Sequence, residues 1–193
     1  WKNLICTGFI NAADGKKMSK KLKNYTDPME LMNKTSADSF RFLMLSSPLT
    51  NGENFALADK DVMDVARKLG MIWNMYDFFT MYAEVDGWEF NGDLSDPLHD
   101  LTNPLDIWIV SRLHQLITEV ERGLNNYNLQ DATKPILPFL DDASNWYVRR
   151  SRRRFWKSED DGDKNDAYRT LHYVLVRLSY MLAPFTPFLA EEL

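Results

Sequence analysis

The chain has 193 residues, of which 45% are hydrophobic and 26% are charged, and it carries a net charge of −5. This composition is ordinary for a globular protein with ample material for a core. No stretch approaches twenty uncharged apolar residues, which argues against a membrane span. The negative charge argues against a protein that coats nucleic acid over its whole surface, although it leaves room for a local basic face.

A single cysteine, Cys6, is present. One cysteine cannot form an internal disulfide, and this usage suits a reducing cytosol, so we expect a cytoplasmic protein. Cys6 lies in an apolar run, which predicts a buried structural thiol rather than a nucleophile.

The first fifty residues predict a short α/β segment. Residues 4–10 are apolar and β-branched, as is typical of a strand. Pro28 begins a brief predicted helix that continues through Met32. Ser36 is the expected N-cap of a second helix over residues 37–45.

The pattern then changes to long amphipathic helices. Four of them share an apolar stripe at helical spacing, and they are predicted over residues 59–83, 104–125, 131–156 and 166–182. Loops are predicted over residues 86–103 and 158–164. Asp59 and Asn103 are the expected N-caps, and Pro138 should kink or split the third helix. The sequence therefore predicts a mainly α protein, a helix bundle at residues 51–193 preceded by a separate α/β segment at residues 1–50.

A lysine-rich segment at residues 15–25 is the most informative part of the chain. Its five lysines are Lys16, Lys17, Lys20, Lys21 and Lys23. Turn signals bound the segment and no apolar period runs through it, so we predict a loop. Such a loop is either a solvated basic surface or a mobile set of cations that binds a polyphosphate.

The order of residues within this loop favours the polyphosphate-binding interpretation over a solvated basic surface. Lys17-Met18-Ser19-Lys20-Lys21 resembles the Lys-Met-Ser-Lys-Ser signature of class I aminoacyl-tRNA synthetases, although Lys21 stands where serine is usual. Two further stretches, Leu22 to Pro28 and Asn145 to Trp156, resemble the isoleucyl branch of that class. The resemblance covers essentially the whole chain. It implies a class I anticodon-binding helix bundle that follows the end of a catalytic domain.

The resemblance also implies roles for the loop residues. Lys20 would contact the pyrophosphate of ATP, Lys17 would position the loop, and Met18 and Ser19 would set its geometry and nucleotide contacts. Lys21 would either face solvent or reach the tRNA acceptor end. ATP with magnesium is the implied cofactor, and isoleucine and its tRNA are the implied substrates.

An arginine run forms the second candidate site, and the residues expected to bind tRNA are Arg149, Arg150, Arg152, Arg153, Arg154 and Trp156. Consecutive helical positions fan around the helix axis, so a helix that packs on one face cannot bury all five arginines. Arginine suits phosphate and base contacts. The alternative is structural, with the cations near a helix end pairing with the acids that follow. The neighbouring aromatic residues are either core residues or stacking platforms.

Other parts of a synthetase are missing from the sequence. The three histidines, His99, His114 and His172, form no His-Ile-Gly-His-type motif, and no Cys/His group has metal-ligand spacing. Both ends look cut, so we expect a piece of a longer ligase that works with the catalytic and editing domains of the same polypeptide and is inactive alone. The alternatives are the same region of a valyl or leucyl enzyme, or a non-enzymatic helical module that binds RNA or protein.

Overall fold

A computed structural model describes residue 2, residues 4–157 and residues 161–193. Two short strands and nine α-helices form the described part of the chain. In chain order they are β1 (Ile10–Ala12), α1 (Pro28–Lys34), α2 (Ala37–Ser46), β2 (Phe55–Leu57), α3 (Asp59–Asp86), α4 (Pro104–Asn125), α5 (Leu129–Thr133), α6 (Ile136–Asp141), α7 (Arg149–Lys157), α8 (Asp161–Leu182) and α9 (Pro187–Glu192). None of the described helices is both long enough and apolar enough to cross a membrane.

The strands β1 and β2 pair in parallel, with Ile10 opposite Phe55 and Ala12 opposite Leu57. The strand predicted over residues 4–10 is therefore wrong in its position, because only its last residue belongs to β1. The pairing links both sides of the boundary placed after residue 50, and that boundary stays a prediction.

Residues 4–9 run beside the turn before β2 without forming a strand. The amide of Gly8 donates to the Leu49 carbonyl at 3.0 Å, and the amide of Phe9 donates to the Asn54 side chain at 2.9 Å. A Cβ on Gly8 would lie 1.9 Å from the carbonyl oxygen of Glu53, so only glycine allows this close approach. Cys6 is exposed here, and the prediction of a buried thiol is wrong.

Helix α2 ties the N-terminal segment to the bundle. Ser36 is its N-cap, as predicted, and its hydroxyl accepts from the Ser39 amide at 3.0 Å. Phe42 lies in the hydrophobic core with the residues of the long helices. The buried Asp38 carboxylate accepts from the Leu189 amide at 2.6 Å, which satisfies one of the free amides in the first turn of α9.

The bundle core lies between α3, α4, α8 and the broken third helix. Its fully buried members include Ile72 of α3, Leu113 of α4 and Leu171 of α8. Asn103 caps α4 as predicted, but the N-cap of α3 is Ala58. Asp59 instead lies in the first turn, where its carboxylate accepts from the Thr26 hydroxyl at 2.6 Å.

The predicted third helix is split, but not at Pro138. The break falls at Lys134 and Pro135, between α5 and α6, and Asn128 caps α5. Pro138 then lies in the first turn of α6, where a missing amide hydrogen costs no hydrogen bond. Residues Asp142–Val148 continue α6 as a π-helix, which leads directly into α7.

Helix α8 begins earlier than predicted. Residues 161–164 are helical rather than loop, and residues 158–160 of the predicted loop lie outside the described part. Asp161 and Asp163 occupy the first turn of α8, where negative charge favours the helix dipole.

Candidate functional site

The lysine loop is held in shape by its own residues. The Asn24 side chain accepts from the Ser19 amide at 2.9 Å and donates to the Lys17 carbonyl at 3.2 Å. The Lys23 amide donates to the Ser19 carbonyl at 2.9 Å, which closes a tight turn. Lys17 also forms an isolated antiparallel bridge with Asn11 of β1. The backbone of the signature residues is therefore fixed at both ends of the Met18–Lys23 turn.

The loop directs its charges outward. The five lysines are exposed, while Met18 and Ser19 are half-buried. Met18 lines a small apolar cavity of about 80 Å³ together with Tyr25 and with Leu31 of α1, so its side chain faces the protein rather than solvent. Lys16 lies 3.8 Å from Asp14. The other four lysine side chains have no carboxylate partner within the described part of the chain, so they are available to an anionic ligand.

The arginine run divides into an outer and an inner set. Arg149, Arg150, Arg152 and Arg153 are exposed, and none of them pairs with a carboxylate among the described residues. The opposite side of the same segment is buried and comprises Tyr147, Val148, Ser151 and Phe155. We call the outer set, together with Trp146 and Trp156, the arginine face.

Arg154 belongs to the inner set. Its guanidinium donates to both carboxylate oxygens of Asp106 on α4, each at 2.7 Å, and to both of Asp163 on α8 at 2.7 and 2.8 Å. The Tyr147 hydroxyl donates to the same Asp106 at 2.7 Å. Arg154 therefore joins α4, α7 and α8. Its pairing with acidic side chains matches the structural alternative considered for the arginine run. We leave it out of the proposed tRNA-binding set.

The environment of this cluster shifts the pKa values of Asp163 and Tyr147. Burial alone would raise the pKa of Asp163, but hydrogen bonds from Arg154 and Asn103 outweigh it and the pKa is lowered. Burial and the neighbouring Asp106 charge raise the pKa of the Tyr147 hydroxyl well above its usual value. Near neutral pH the Asp163 carboxylate therefore stays ionised and the Tyr147 hydroxyl stays a hydrogen-bond donor.

The two exposed tryptophans differ in their contacts. The guanidinium carbon of Arg150 lies 4.6 Å from the centre of the Trp146 ring, a cation–π contact between successive turns. Trp146 is 50% exposed and Trp156 is 54% exposed. Tyr147 and Phe155, in contrast, are core residues.

Sequence reasoning missed several residues that organise these sites. Asn24 lay inside a stretch that carried the family resemblance, but its role as a clamp was not expected. Asp106 and Asp163, the partners of Arg154, are distant in sequence, and an acid that pairs across helices leaves no local signal. Among the described residues, no group of three or more His, Cys, Asp or Glu side chains could hold a metal ion.

Two family models match the chain. The model for class I tRNA synthetases of the I, L, M and V type matches residues 1–56, which include the lysine loop. The model for the anticodon-binding domain of tRNA ligases matches residues 106–193, which include the arginine face.

Solved structures share the fold. A leucyl-tRNA synthetase of Agrobacterium radiobacter, in a ternary complex with tRNA and LeuAMS, matches 96% of this chain and 21% of its own, with a TM-score of 0.71 and 20% identity. The methionyl-tRNA synthetase of Mycobacterium tuberculosis, in complex with methionyl-adenylate, also matches 96% of this chain with a TM-score of 0.71, at 23% identity and 36% of its own length.

Curated relatives are more similar in sequence. The isoleucine–tRNA ligase of Treponema denticola is 40% identical over 203 residues, and that of Protochlamydia amoebophila is 39% identical over 193 residues. Both alignments include 100% of this chain, which spans only 18% of the length of each relative. The chain therefore belongs to the isoleucine–tRNA ligase family of the class I aminoacyl-tRNA synthetases.

Proposed function

We propose that this chain serves within an isoleucine–tRNA ligase, an enzyme that activates isoleucine with ATP and joins it to its tRNA. The observation that most strongly supports this proposal is the match of the whole chain to isoleucine–tRNA ligases at about 40% identity. These relatives favour isoleucine over the valine and leucine alternatives, whereas the fold alone does not distinguish them. The role implies a cytoplasmic location, where translation uses charged tRNA.

The lysine loop is the proposed ATP-contacting part. When isoleucine attacks the α-phosphate, pyrophosphate leaves and negative charge grows on its oxygens. Cations that bind those oxygens more tightly at that moment lower the barrier, because only differential binding accelerates a chemical step. We assign this role to Lys20, whose ammonium is exposed, and a positioning role to Lys17, whose carbonyl is fixed by Asn24.

Lys21 and the magnesium ion complete the proposal for ATP. Lys21 is exposed beside Lys20, so it can supplement the positive charge or face solvent. Magnesium would accompany ATP as a counter-ion of its phosphates, since the described residues offer no group of metal ligands. This chain supplies the ammonium groups that act on the phosphates.

The arginine face is the proposed tRNA-binding part. Arg149, Arg150, Arg152 and Arg153 lie together on one side of α7, free of acidic partners in the described part of the chain. A guanidinium presents a planar fork of donors that matches phosphate geometry. These four arginines, with Trp156 beside them, would track the RNA backbone.

The test is the salt dependence of tRNA binding by this chain. We compare the parent with the triple variant Arg149→Gln, Arg152→Gln and Arg153→Gln, using an isoleucine tRNA transcript. Each lost phosphate contact should reduce the slope of log affinity against log salt by about 0.7 to 0.9. The variant should bind more weakly and with a flatter slope, while its melting temperature stays near that of the parent.

A control variant of equal charge removes three exposed cations elsewhere: Lys60→Gln, Arg122→Gln and Lys134→Gln. Its affinity and slope should remain close to those of the parent. An unchanged slope in the arginine variant, or equal losses in both variants, would reject the arginine face as the binding surface.

A further inference from the structure

Trp146 is an exposed tryptophan that directly precedes two buried residues in the helix bundle. Its neighbours Tyr147 and Val148 are buried, but half of its own surface is exposed. Leaving an indole ring in water forgoes the free energy that burial of so large an apolar surface would provide. Single exposed apolar residues are common, so this exposure gains meaning only from the contacts around the ring.

The contacts around the Trp146 ring fix its position but leave half of its surface exposed to solvent. Arg150 places its guanidinium carbon 4.6 Å from the ring centre, on one face of the indole. Ion pairs tie the start of the π-helix that carries Trp146 to two neighbouring helices: Lys68 of α3 lies 2.6 Å from Asp141, and Arg112 of α4 lies 2.9 Å from Asp142. The ring is therefore braced by its own helix and retains a large solvent-accessible surface.

We propose that Trp146, braced by Arg150, is a stacking platform for an unpaired base of the bound tRNA. This inference rests on the proposed function, because it assigns a base contact within the surface proposed to bind the tRNA backbone. Every base has a flat π-face, and proteins that bind single-stranded RNA stack such faces on aromatic rings and on arginine planes. The preorganised ring needs little further ordering to accept a base.

Charge selects RNA as the occupant of this surface. Arg149 and Arg150 directly follow the π-helix, and Arg153 lies one turn further along the same side. Neither a neutral apolar peptide nor another cationic surface matches this density of positive charge. A single strand of RNA matches it, because its phosphates can pair with the arginines and its unpaired bases can stack on the Trp146 ring. A paired duplex does not, because its bases stay stacked inside the helix.

The experiment uses the chain with two RNA probes, an isoleucine tRNA transcript and a fully paired RNA duplex with a similar number of phosphates. Replacing Trp146→Ala should weaken tRNA binding by roughly 5- to 150-fold, the range that corresponds to losing one stacked base. The salt slope for tRNA should not change, because no phosphate contact is removed. Binding to the duplex should also stay the same. The variant Trp146→Phe should retain most of the affinity.

Trp73→Ala is the matched control, since Trp73 is 37% exposed on α3 and lies outside the arginine face. This variant should bind both RNAs like the parent. If Trp146→Ala perturbs the melting temperature, Trp146→Phe and Trp146→Leu replace it, and stacking requires that Phe bind more tightly than Leu.

The outcomes separate this inference from the proposed function. If the arginine variant flattens the slope while Trp146→Ala binds tRNA normally, the platform is rejected and the arginine face stands. Equal losses on tRNA and duplex would also reject the platform, because they would show a contact that does not need an unpaired base. Absence of tRNA binding by the parent chain would overturn both.

Discussion

Arg154 joins three helices through two carboxylates. Its side chain is only 11% exposed and Asp106 is fully buried, so the cluster lies inside the bundle rather than on the arginine face. Removing one partner of a buried pair leaves the other charge without compensation, which is far more costly than losing a surface pair.

We expect Arg154→Gln to lower the free energy of unfolding by about 3 to 5 kcal/mol, because the Asp106 carboxylate then stays buried without a cation. Urea denaturation at neutral pH measures the change. Arg152→Gln, two residues away and exposed, should change stability by less than about 0.5 kcal/mol. Similar stability of the two variants would show that the cluster contributes little.

His172 gives a prediction for pH dependence. It packs against Phe79, Trp88 and Phe90, and burial lowers its pKa from the usual value. The unfolded chain therefore binds a proton at His172 more readily than the native chain, so stability falls as pH drops below about 6.5.

Replacing His172→Gln should reduce this loss of stability between pH 7 and pH 5.5. The His172 contribution cannot exceed about 1.4 kcal/mol per pH unit, the limit for one proton. Urea titrations at the two pH values measure it, with His99→Gln as the control because His99 is exposed. Parallel losses in the parent and His172→Gln would mean that other groups set the acid sensitivity.

At the scale of elements, the π-helix at residues Asp142–Val148 determines which side chains of α7 face outward. Its hydrogen bonds close wider turns than those of an α-helix, so it adds about one residue and rotates the following helix by roughly 100°. From its last turn onward, Tyr147, Ser151 and Phe155 are buried at a spacing of four residues. The exposed arginines follow from that register.

Two glycines in long helices provide a matched pair for packing. Gly123 lies where α4 approaches α5, and a Cβ there would meet the Ala132 backbone at 2.5 Å. Gly70 lies in α3, and a Cβ there would meet nothing within 4 Å.

We expect Gly123→Ala to destabilise the protein by about 1 to 3 kcal/mol, because α5 must move away. Gly70→Ala should stabilise it by about 0.5 to 1 kcal/mol, since alanine loses less backbone entropy in a helix. Thermal and urea unfolding of both variants measure the difference. Stabilisation by both substitutions would indicate that the α4–α5 contact is loose.

At the scale of the whole molecule, the chain presents two separate charged surfaces on a negatively charged body. The lysine loop projects beside β1, and the arginine face lies on α7. The described residues around the loop provide no histidine cluster or glycine-rich cradle for ATP, so we expect the 193-residue chain by itself to show no isoleucine-dependent exchange between ATP and pyrophosphate.

In a full-length isoleucine–tRNA ligase that carries this segment, Lys20→Ala should slow adenylation about 100-fold, the usual scale for removing one transition-state donor. Isoleucine affinity should change little. Pre-steady-state adenylation measures the rate, and Lys23→Ala, in the same loop, is the control. Normal turnover of Lys20→Ala would assign the cation to another lysine, with Lys21 the first to test.

The sequence by itself determined the class of fold, most helix ends and the position of the loop. Caps such as Ser36 and Asn103 act on the backbone within a few residues, and apolar stripes follow from helix geometry, so both are local signals. The lysine segment was predicted to be a loop because it lacks any apolar period, and that absence is also a local signal.

Tertiary structure decided which of these residues serve the fold and which stay accessible. Periodicity shows that five arginines cannot all be buried, but it cannot show that Arg154 meets two acids from other helices, or that a π-helix sets the register of the rest. Trp146 and Tyr147 are neighbours in the sequence, yet one is exposed and the other is in the core. Burial depends on what packs against a side chain, and that information comes from distant parts of the chain.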